Sequence, residues 1–317
     1  MPKLLLVIIA LVFSIAPAMT AEVDAAEKRI AVMWEGKSGM TKRVHSGFLQ
    51  KMKEIAPGVE VTSKREIDGM QEAERVFREF ETKMNGIVFL RSSGAEFLAK
   101  ANPRIPCFVG GCNNPQDLGA IKNLNAPEGN ITGVTYFIPY PKRFQIIKSL
   151  FPNTKSVCLL LQKGHPATSI EQDGTRRECE RLKLKYNEVV AENSKELIEG
   201  ARQFQGKVDL FLISSTALVM DNTVGLVGVA NSSKTPLFSF AEGRAKLGAV
   251  AELAADDEKL GGMLAESVTD VVVKGKPISQ VPVKMDPDPK IIINQSIMQL
   301  MGLKFPDEIM QKAELAK

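Results

Sequence analysis

Short apolar runs alternate with amphipathic stretches along most of this chain, and this alternation restricts its fold more than any other feature. The runs at residues 30–34, 86–90 and 157–161 are apolar at every position, which is typical of strands that are buried on both faces. The stretch at 40–55 instead carries apolar residues at helical spacing. Strands that alternate with helices predict an α/β fold whose parallel sheets are covered on both faces.

The pattern occurs twice, with a break near residues 130–141. The first series predicts strands at 30–34, 59–61, 86–90 and 105–109 and helices at 40–55, 71–84 and 95–101. The second predicts strands at 157–161, 186–190, 210–213 and 237–240 and helices at 168–184, 194–204 and 221–230. A late extended segment, 281–294, is interrupted by prolines and reads as a return connection. The chain is therefore predicted to form two α/β lobes.

The N-terminal segment has the features of a secretory signal. Lys3 precedes an apolar run at residues 4–15, and Ala16-Pro17-Ala18 fits an A-x-A processing site. Ala21 and Ala25 are further possible cleavage points, so we expect the mature N-terminus between Met19 and Glu27 and assign residues 1–26 to the signal peptide. An uncleaved anchor or a buried first helix is the alternative. The apolar run is shorter than a membrane span requires, which favours export to the periplasm.

Composition and charge argue against several classes of function. The formal net charge of +4 comes from basic residues that are interspersed with acidic ones, and only 6% of residues are aromatic, so no nucleic-acid groove is indicated. The four cysteines contain no C-x-x-C pair and the two histidines lie far apart, which makes a zinc site improbable. Cys107 and Cys112 either form a disulfide or remain buried free thiols, and the sequence favours the second.

Catalytic motifs are absent or incomplete. Gly36-Lys37-Ser38 follows a predicted strand, but a P-loop needs a glycine where Ala31 stands. No G-x-S-x-G nucleophile motif occurs. Six loops are predicted at the carboxyl ends of the strands, where open parallel sheets bind ligands. They span residues 35–39, 92–94, 110–115, 163–168, 214–221 and 241–244. They are rich in Ser, Thr, Asn and Gly, a composition that suits recognition better than proton transfer.

Several residues in or beside these loops are candidate ligand contacts. Ser92 and Ser93 begin a predicted helix, whose free N–H groups suit a carboxylate or phosphate, although a serine there also acts as a simple cap. Asp221 is predicted to open another helix with Asn222, where it either caps the helix or binds an ammonium group.

The roles of two further candidates, Trp34 and His165, also have more than one interpretation. Trp34 ends a strand and is either a flat apolar wall of the cleft or part of the core. His165 precedes a proline on a cleft-facing loop and is a possible ligand contact, whereas His45 lies in mid-helix, where a packing or solvated role is expected.

Several short motifs, none specific alone, occur in a fixed order. They are Asn-Ile-Thr-Gly-Val at 130–134, Asp-Asn-Thr-Val at 221–224, Gly-Ala-Val-Ala at 248–251, Asp256, Lys-Gly-Lys-Pro at 274–277, Ile-Ile-Asn at 292–294, Gly302-Leu303 and Pro306. With them the chain resembles the periplasmic substrate-binding proteins of ABC transporters, in the family that includes tryptophan/tyrosine-type components. The resemblance covers nearly the whole mature chain.

The resemblance implies a type I periplasmic-binding fold, with two Rossmann-like lobes joined by a hinge of three crossing strands near 134–137, 250–253 and 281–288. The first lobe would comprise residues 27–135 and 251–285, and the second 136–250 and 286–317. The residues that we expect to bind ligand are Trp34, Ser92, Ser93, Asn113, Tyr136, His165, Thr216, Asp221, Asn222 and Asp256. Of these, Ser92, Ser93, Thr216, Asp221 and Asn222 match the family's binding positions.

Two loops depart from the family pattern, and both face the predicted cleft. Gly36-Lys37-Ser38-Gly39 stands where a His-Pro pair is common, and Asn114-Pro115 replaces an Asp-Pro. These departures leave the identity of the ligand open.

The resemblance predicts the solute-binding component of an ABC importer, which captures an amino acid or a similar small zwitterion by hinge closure. We expect no catalytic residues, no metal and no cofactor, and we expect a monomer whose partners are the ligand and an inner-membrane permease. A stand-alone periplasmic sensor and an exported enzyme on the same scaffold are the alternatives.

Overall fold

Two mostly parallel β-sheets make up the framework of the computed structural model, which describes residues 28–316. The first sheet has the spatial order β11-β5-β4-β3-β1-β2 and consists of β1 (Arg29–Glu35), β2 (Glu60–Ile67), β3 (Gly86–Leu90), β4 (Cys107–Gly110), β5 (Ile131–Thr135) and β11 (Lys284–Met285). The second has the order β13-β12-β10-β9-β8-β6-β7 and consists of β6 (Ser156–Gln162), β7 (Lys185–Ala191), β8 (Leu210–Ile213), β9 (Leu237–Ser239), β10 (Ala251–Ala254), β12 (Lys290–Ile293) and β13 (Glu314–Leu315). The predicted signal segment, 1–26, lies outside the described residues.

Helices cover both sheets. In chain order they are α1 (Gly39–Ile55), α2 (Gly69–Glu81), α3 (Ser92–Ala101), α4 (Tyr140–Leu150), α5 (Thr168–Arg181), α6 (Ser194–Gln203), α7 (Ala217–Asp221), α8 (Thr223–Ser232), α9 (Asp257–Val268), α10 (Gln295–Leu300) and α11 (Asp307–Met310). Helix α9 continues into a π-helical turn, Thr269–Val273, and a short 3-10 turn follows at Ile278–Gln280. Helices α1–α3 and α9 pack on the first sheet, and the others belong to the second lobe. In the part of the chain that the structure describes, no helix is both long and apolar enough to span a bilayer.

The central strands are buried on both faces, as their uniformly apolar sequences predict. Every residue of β3, β4 and β5 is buried, and so are the five inner residues of β6. In β1, Ile30, Val32 and Trp34 pack on the face covered by α1 and α9, whereas Ala31 and Met33 pack on the face covered by α2 and α3. The predicted α/β architecture of two lobes is therefore confirmed.

Three segments connect the lobes. The chain passes from β5 to α4 through residues 136–139, from β10 to α9 through 255–256, and from β11 to β12 through 286–289. The second crossing lies a few residues later than the predicted position at 250–253. Ala251–Ala254 instead forms β10, which pairs with β9 and β12 inside the second sheet, because this fully buried run fills the space between those two strands.

One predicted helix begins at the wrong place. Asp221 does not open the helix predicted at 221–230, because it is the last residue of α7. The chain then turns at Asn222, and α8 begins at Thr223. Neither Asp221 nor Asn222 uses its side chain as a cap for α8, so the capping interpretation of this pair is also wrong.

All four cysteines are buried and free. Cys107 lies in β4 and Cys112 in the loop that follows, and their side chains are part of the core between the first sheet and α3. Burial raises the pKa of the Cys112 thiol to about 12, so this thiol stays protonated at neutral pH. The structure therefore agrees with the second interpretation of Cys107 and Cys112, that of buried free thiols.

Helices α1 and α9 approach so closely that only glycine fits at their contact. A Cβ atom on Gly47 would lie 2.0 Å from the carbonyl oxygen of Glu258, and one on Gly261 would lie 2.1 Å from that of Val44. The contact is therefore between the two backbones. It fixes α9, which follows directly after the second crossing, against α1.

We predict that Gly47→Ala lowers the free energy of unfolding by about 1–3 kcal/mol, because the added methyl group must push the two helices apart. Gly262→Ala is the matched control on α9. Its Cβ would meet only the Lys51 side chain at 3.8 Å, so this change should stabilise the helix by about 0.5–1 kcal/mol. Urea unfolding of both variants measures the difference, and equal stability of the two would contradict the close contact.

Candidate functional site

A pocket lies between the two lobes at the carboxyl ends of the strands. Its cavity volume is about 90 Å³. The first lobe and the first crossing contribute Lys37, Ser38, Gly39, Met40, Thr41, Arg91, Ser92, Gly111 and Tyr136, and the second lobe contributes His165, Ser215, Ala217, Met220, Asp221 and Arg244. Each of the six loops predicted to border a cleft supplies at least one of these residues.

The first-lobe wall contains the N-termini of two helices. Helix α1 begins at Gly39, and its cap Ser38 accepts a hydrogen bond from the N–H of Thr41 at 3.2 Å. Helix α3 begins at Ser92. Neither helix has an acidic residue in its first turn, so neither positive helix end is neutralised there by its own sequence. This wall suits an anionic group of a ligand.

Arg91 is held by Glu35 at the start of α3. Its guanidinium donates to the carbonyl oxygen of Glu35 and lies 3.3 Å from the Glu35 carboxylate. Arg91 adopts a positive φ of 77°, a conformation that is uncommon for a residue with a side chain. Ser93 donates to the same carboxylate at 3.1 Å, so its hydroxyl points to Glu35 and does not line the pocket.

His165 and Asp221 face the pocket from the second lobe. The Nδ1 atom of His165 accepts the N–H of Ala167 at 3.1 Å, which leaves the proton of the neutral ring on Nε2. Burial, followed by the charge of Arg91, lowers the pKa of His165 to about 4, so the ring is neutral at physiological pH. Asp221 is exposed at the edge of the pocket, and within residues 28–316 its carboxylate forms neither a hydrogen bond nor an ion pair.

Arg244 completes this wall. Its guanidinium donates to the carbonyl oxygen of Met220 at 2.8 Å and approaches the hydroxyl of Thr223 at 3.4 Å. Its Nε is buried and has no hydrogen-bond partner among the described residues. Burial lowers the pKa of Arg244, and the nearby Glu252 and Asp221 carboxylates oppose this effect.

A buried polar network lies behind the pocket, centred on Glu171 of α5. One carboxylate oxygen of Glu171 pairs with Arg143 at 2.9 Å, and the other accepts hydrogen bonds from Asn113 and Ser215, both at 3.0 Å. Tyr136 donates to Ser215 at 3.1 Å. Asn113 belongs to the first lobe and Glu171 to the second, so the network joins the lobes.

Sequence reasoning missed the role of Glu171 because the residue lies in a highly charged helix, which predicts an exposed face. The structure instead buries Glu171 and Arg143 almost completely, with side chains 0% and 2% exposed. The Arg143 guanidinium also donates to the carbonyl oxygen of Ile138 at 2.7 Å and stacks between Tyr140 and Phe240, with ring centroids 4.7 and 4.6 Å away. No local sequence signal marks this pair, since its two members come from different helices.

The structure brings four of the ten predicted residues to the pocket lining, namely Ser92, Tyr136, His165 and Asp221. Trp34 is not a wall of the cleft. It is fully buried under α1, its ring 5.1 Å from that of His45, because it continues the core-facing positions of β1. His45 thus has the expected packing role.

The other predicted residues serve the protein's own structure. Asn113 is part of the buried network, and Thr216 is buried with its hydroxyl bonded to Ser214 at 2.8 Å. Asn222 donates to the carbonyl oxygen of Leu218. Asp256 lies on the second crossing, where it caps α9 and pairs with Lys290 at 3.0 Å, away from the pocket lining.

Comparison with known proteins agrees with this architecture. A family model described as ABC transporter substrate binding protein matches residues 30–317. A curated relative, the tyrosine-binding protein of Clostridioides difficile, is 24% identical over 222 residues, which is 70% of this chain. The aligned segment spans 64% of that relative's own length.

Solved structures share the fold at low sequence identity. A conserved domain protein of Vibrio cholerae has a TM-score of 0.81 at 21% identity, covering 92% of this chain and 99% of its own. An ABC domain from Streptococcus pneumoniae in complex with L-Trp has a TM-score of 0.81 at 20% identity, covering 91% and 99%. The ligand-free, open structure of a substrate-binding protein with adhesive properties from Clostridium difficile has a TM-score of 0.75 at 20% identity, covering 92% and 99%.

We predict that Glu171→Gln lowers the free energy of unfolding by about 3–5 kcal/mol, because it leaves the Arg143 charge buried without its counter-ion. Glu178→Gln is the control on the same helix. The Glu178 side chain is 9% exposed, but its partner Arg181 is 56% exposed and stays in water when the carboxylate is removed, so this change should cost only about 1–2 kcal/mol. Chemical denaturation of both variants tests the expectation. A Glu171→Gln protein as stable as Glu178→Gln would contradict the dependence of the fold on this buried ion pair.

Proposed function

This chain belongs to the family of ABC transporter substrate-binding proteins, and we propose that it captures an amino acid between its two lobes for delivery to an ABC permease. One observation carries the proposal: a single polar pocket is lined by six loops, three from each lobe, at the carboxyl ends of the strands. Ligands of open parallel sheets bind at this position. A solute held there contacts both lobes at once.

The charges around the pocket support a ligand with both an anionic and a cationic end. The N-termini of α1 and α3 offer N–H groups to a carboxylate on the first-lobe side. Asp221 offers a carboxylate without a protein partner, in the described residues, to an ammonium group on the other side. An α-amino acid carries both groups. The names of the relatives support the same class, since one is a tyrosine-binding protein and another is in complex with L-Trp.

Closure of the lobes is the proposed mechanism of capture. Open and closed forms exchange through the three crossing segments, and a ligand that contacts both lobes favours the closed form by its differential contacts. The permease then recognises the closed form. Export to the periplasm through the N-terminal signal, and action as a monomer, belong to this proposal. A stand-alone sensor would bind its ligand in the same way and differ only in its membrane partner.

The pocket chemistry favours binding over catalysis. Ser215 already donates to Glu171 and accepts from Tyr136, and Ser92 accepts from the backbone of Asn113. His165 uses Nδ1 to accept the N–H of Ala167 and forms no hydrogen bond to a serine within the described residues. A nucleophile activated by an adjacent base is therefore not part of this proposal.

We predict that Asp221→Asn weakens binding about ten- to hundredfold, because it removes a charge-assisted hydrogen bond worth about 1.5–3 kcal/mol while keeping the side-chain shape. The ligand is first identified by mass spectrometry of the small molecules released on denaturing freshly purified protein. Calorimetric titration with that molecule then measures the affinity.

Asp68→Asn is the matched control, because Asp68 is exposed, forms no side-chain cap and does not line the pocket. Its affinity should equal that of the unaltered protein. Thermal melting temperatures should be unchanged in both variants, since Asp221 caps no helix. Unaltered affinity in Asp221→Asn would remove this residue from the site, and release of no small molecule, with no amino acid bound in titration, would contradict the proposed function.

A further inference from the structure

We propose that the amino acid captured here is an acidic one, whose second carboxylate is bound by Arg244 and Lys37. This inference rests on the proposed function and specifies its substrate class. It follows from the charges that line the pocket and from the small amount of apolar surface among them.

Basic groups outnumber acidic ones in the lining. Lys37, Arg91 and Arg244 bring three positive charges to the pocket, whereas Asp221 brings one negative charge. Glu35 stands behind Arg91 and neutralises part of its charge. His165 adds none, because its ring is neutral at physiological pH. Glu35 and the buried Glu252 lie behind Arg91 and Arg244 and outside the lining, so the lining itself presents +3 against −1 to a ligand.

Arg244 is the strongest single indication. It is partly buried in the pocket wall, yet no carboxylate of the described residues comes within ion-pair distance of it. Its neighbour Glu252 accepts the N–H groups of Gly243 and Ala245 at 2.8 and 2.6 Å instead. The nearby Glu252 and Asp221 carboxylates stabilise the Arg244 charge only from a distance, and an anion in direct contact with the guanidinium would compensate its burial further. The bound ligand is the available source of such an anion.

Lys37 supplies the second positive charge. Its ammonium group is exposed on the loop before α1 and forms no ion pair within residues 28–316. Lys37 belongs to the first lobe and Arg244 to the second, so a carboxylate that both of them approach favours the closed form.

An aromatic side chain finds little matching surface in this pocket. Besides Tyr136, the lining contains no aromatic ring other than the His165 imidazole, and the apolar side chains present are Met40, Ala217 and Met220. Tyr136 is itself only 7% exposed, and its hydroxyl is engaged with Ser215. Trp34, the candidate flat wall, lies in the core. The zwitterionic ends of any amino acid fit this site, but its side-chain region is charged.

The test compares acids with their neutral amides, which have almost the same shape. Purified protein, dialysed free of ligand, is titrated calorimetrically with L-glutamate, L-aspartate, L-glutamine, L-asparagine, L-tyrosine and L-tryptophan. We expect at least one acid to bind about tenfold or more tightly than its amide and than the aromatic amino acids. In Arg244→Gln this preference should fall by about tenfold, while the affinity for the amide changes little.

Lys246→Gln is the matched control, because it removes the same charge from an exposed position of the same loop that does not line the pocket. It should keep the preference for the acid. Equal binding of acid and amide, or tighter binding of an aromatic amino acid, would overturn the inference and leave the proposed function in place. Failure of every amino acid to bind would overturn both.

Discussion

The buried ion pair between Glu171 and Arg143 is the interaction on which the geometry of the site depends. Two charges removed from water are tolerated only when their remaining hydrogen-bonding capacity is used. Here Asn113 and Ser215 donate hydrogen bonds to the Glu171 carboxylate, and the Ile138 carbonyl oxygen accepts one from the Arg143 guanidinium. Because Asn113 comes from the other lobe, the carboxylate of Glu171 receives all of its hydrogen bonds only while the two lobes are in contact here. The pocket lies immediately in front of this network.

The polar residues around the pocket fall into two groups. Ser93, Thr216 and Asn222 use their side chains within the protein, so they shape the loops. Asp221 and Arg244 keep hydrogen-bonding or ion-pairing capacity that no described residue uses, and we therefore propose that they contact the solute. On this proposal, a site rich in hydroxyl and amide groups selects its ligand by charge.

Sequence patterns predicted the sheets and the loops that border the cleft because both depend on local periodicity and on the geometry of parallel strands. The core position of Trp34 could also have been predicted, since Trp34 continues the core-facing positions of Ile30 and Val32 in β1. The burial of Glu171 and Arg244 could not be predicted from the sequence. Glu171 is a charged residue in a charged helix, and Arg244 lies within the loop between β9 and β10, so their burial follows from tertiary packing that a single sequence does not display.

The claim that a solute is enclosed between two lobes is tested most directly by small-angle X-ray scattering of the protein with and without its ligand. The account predicts a smaller radius of gyration on binding, because the lobes approach each other through the three crossing segments. Calorimetry under the same conditions establishes that the sites are occupied. An unchanged radius of gyration at full occupancy would contradict capture by closure.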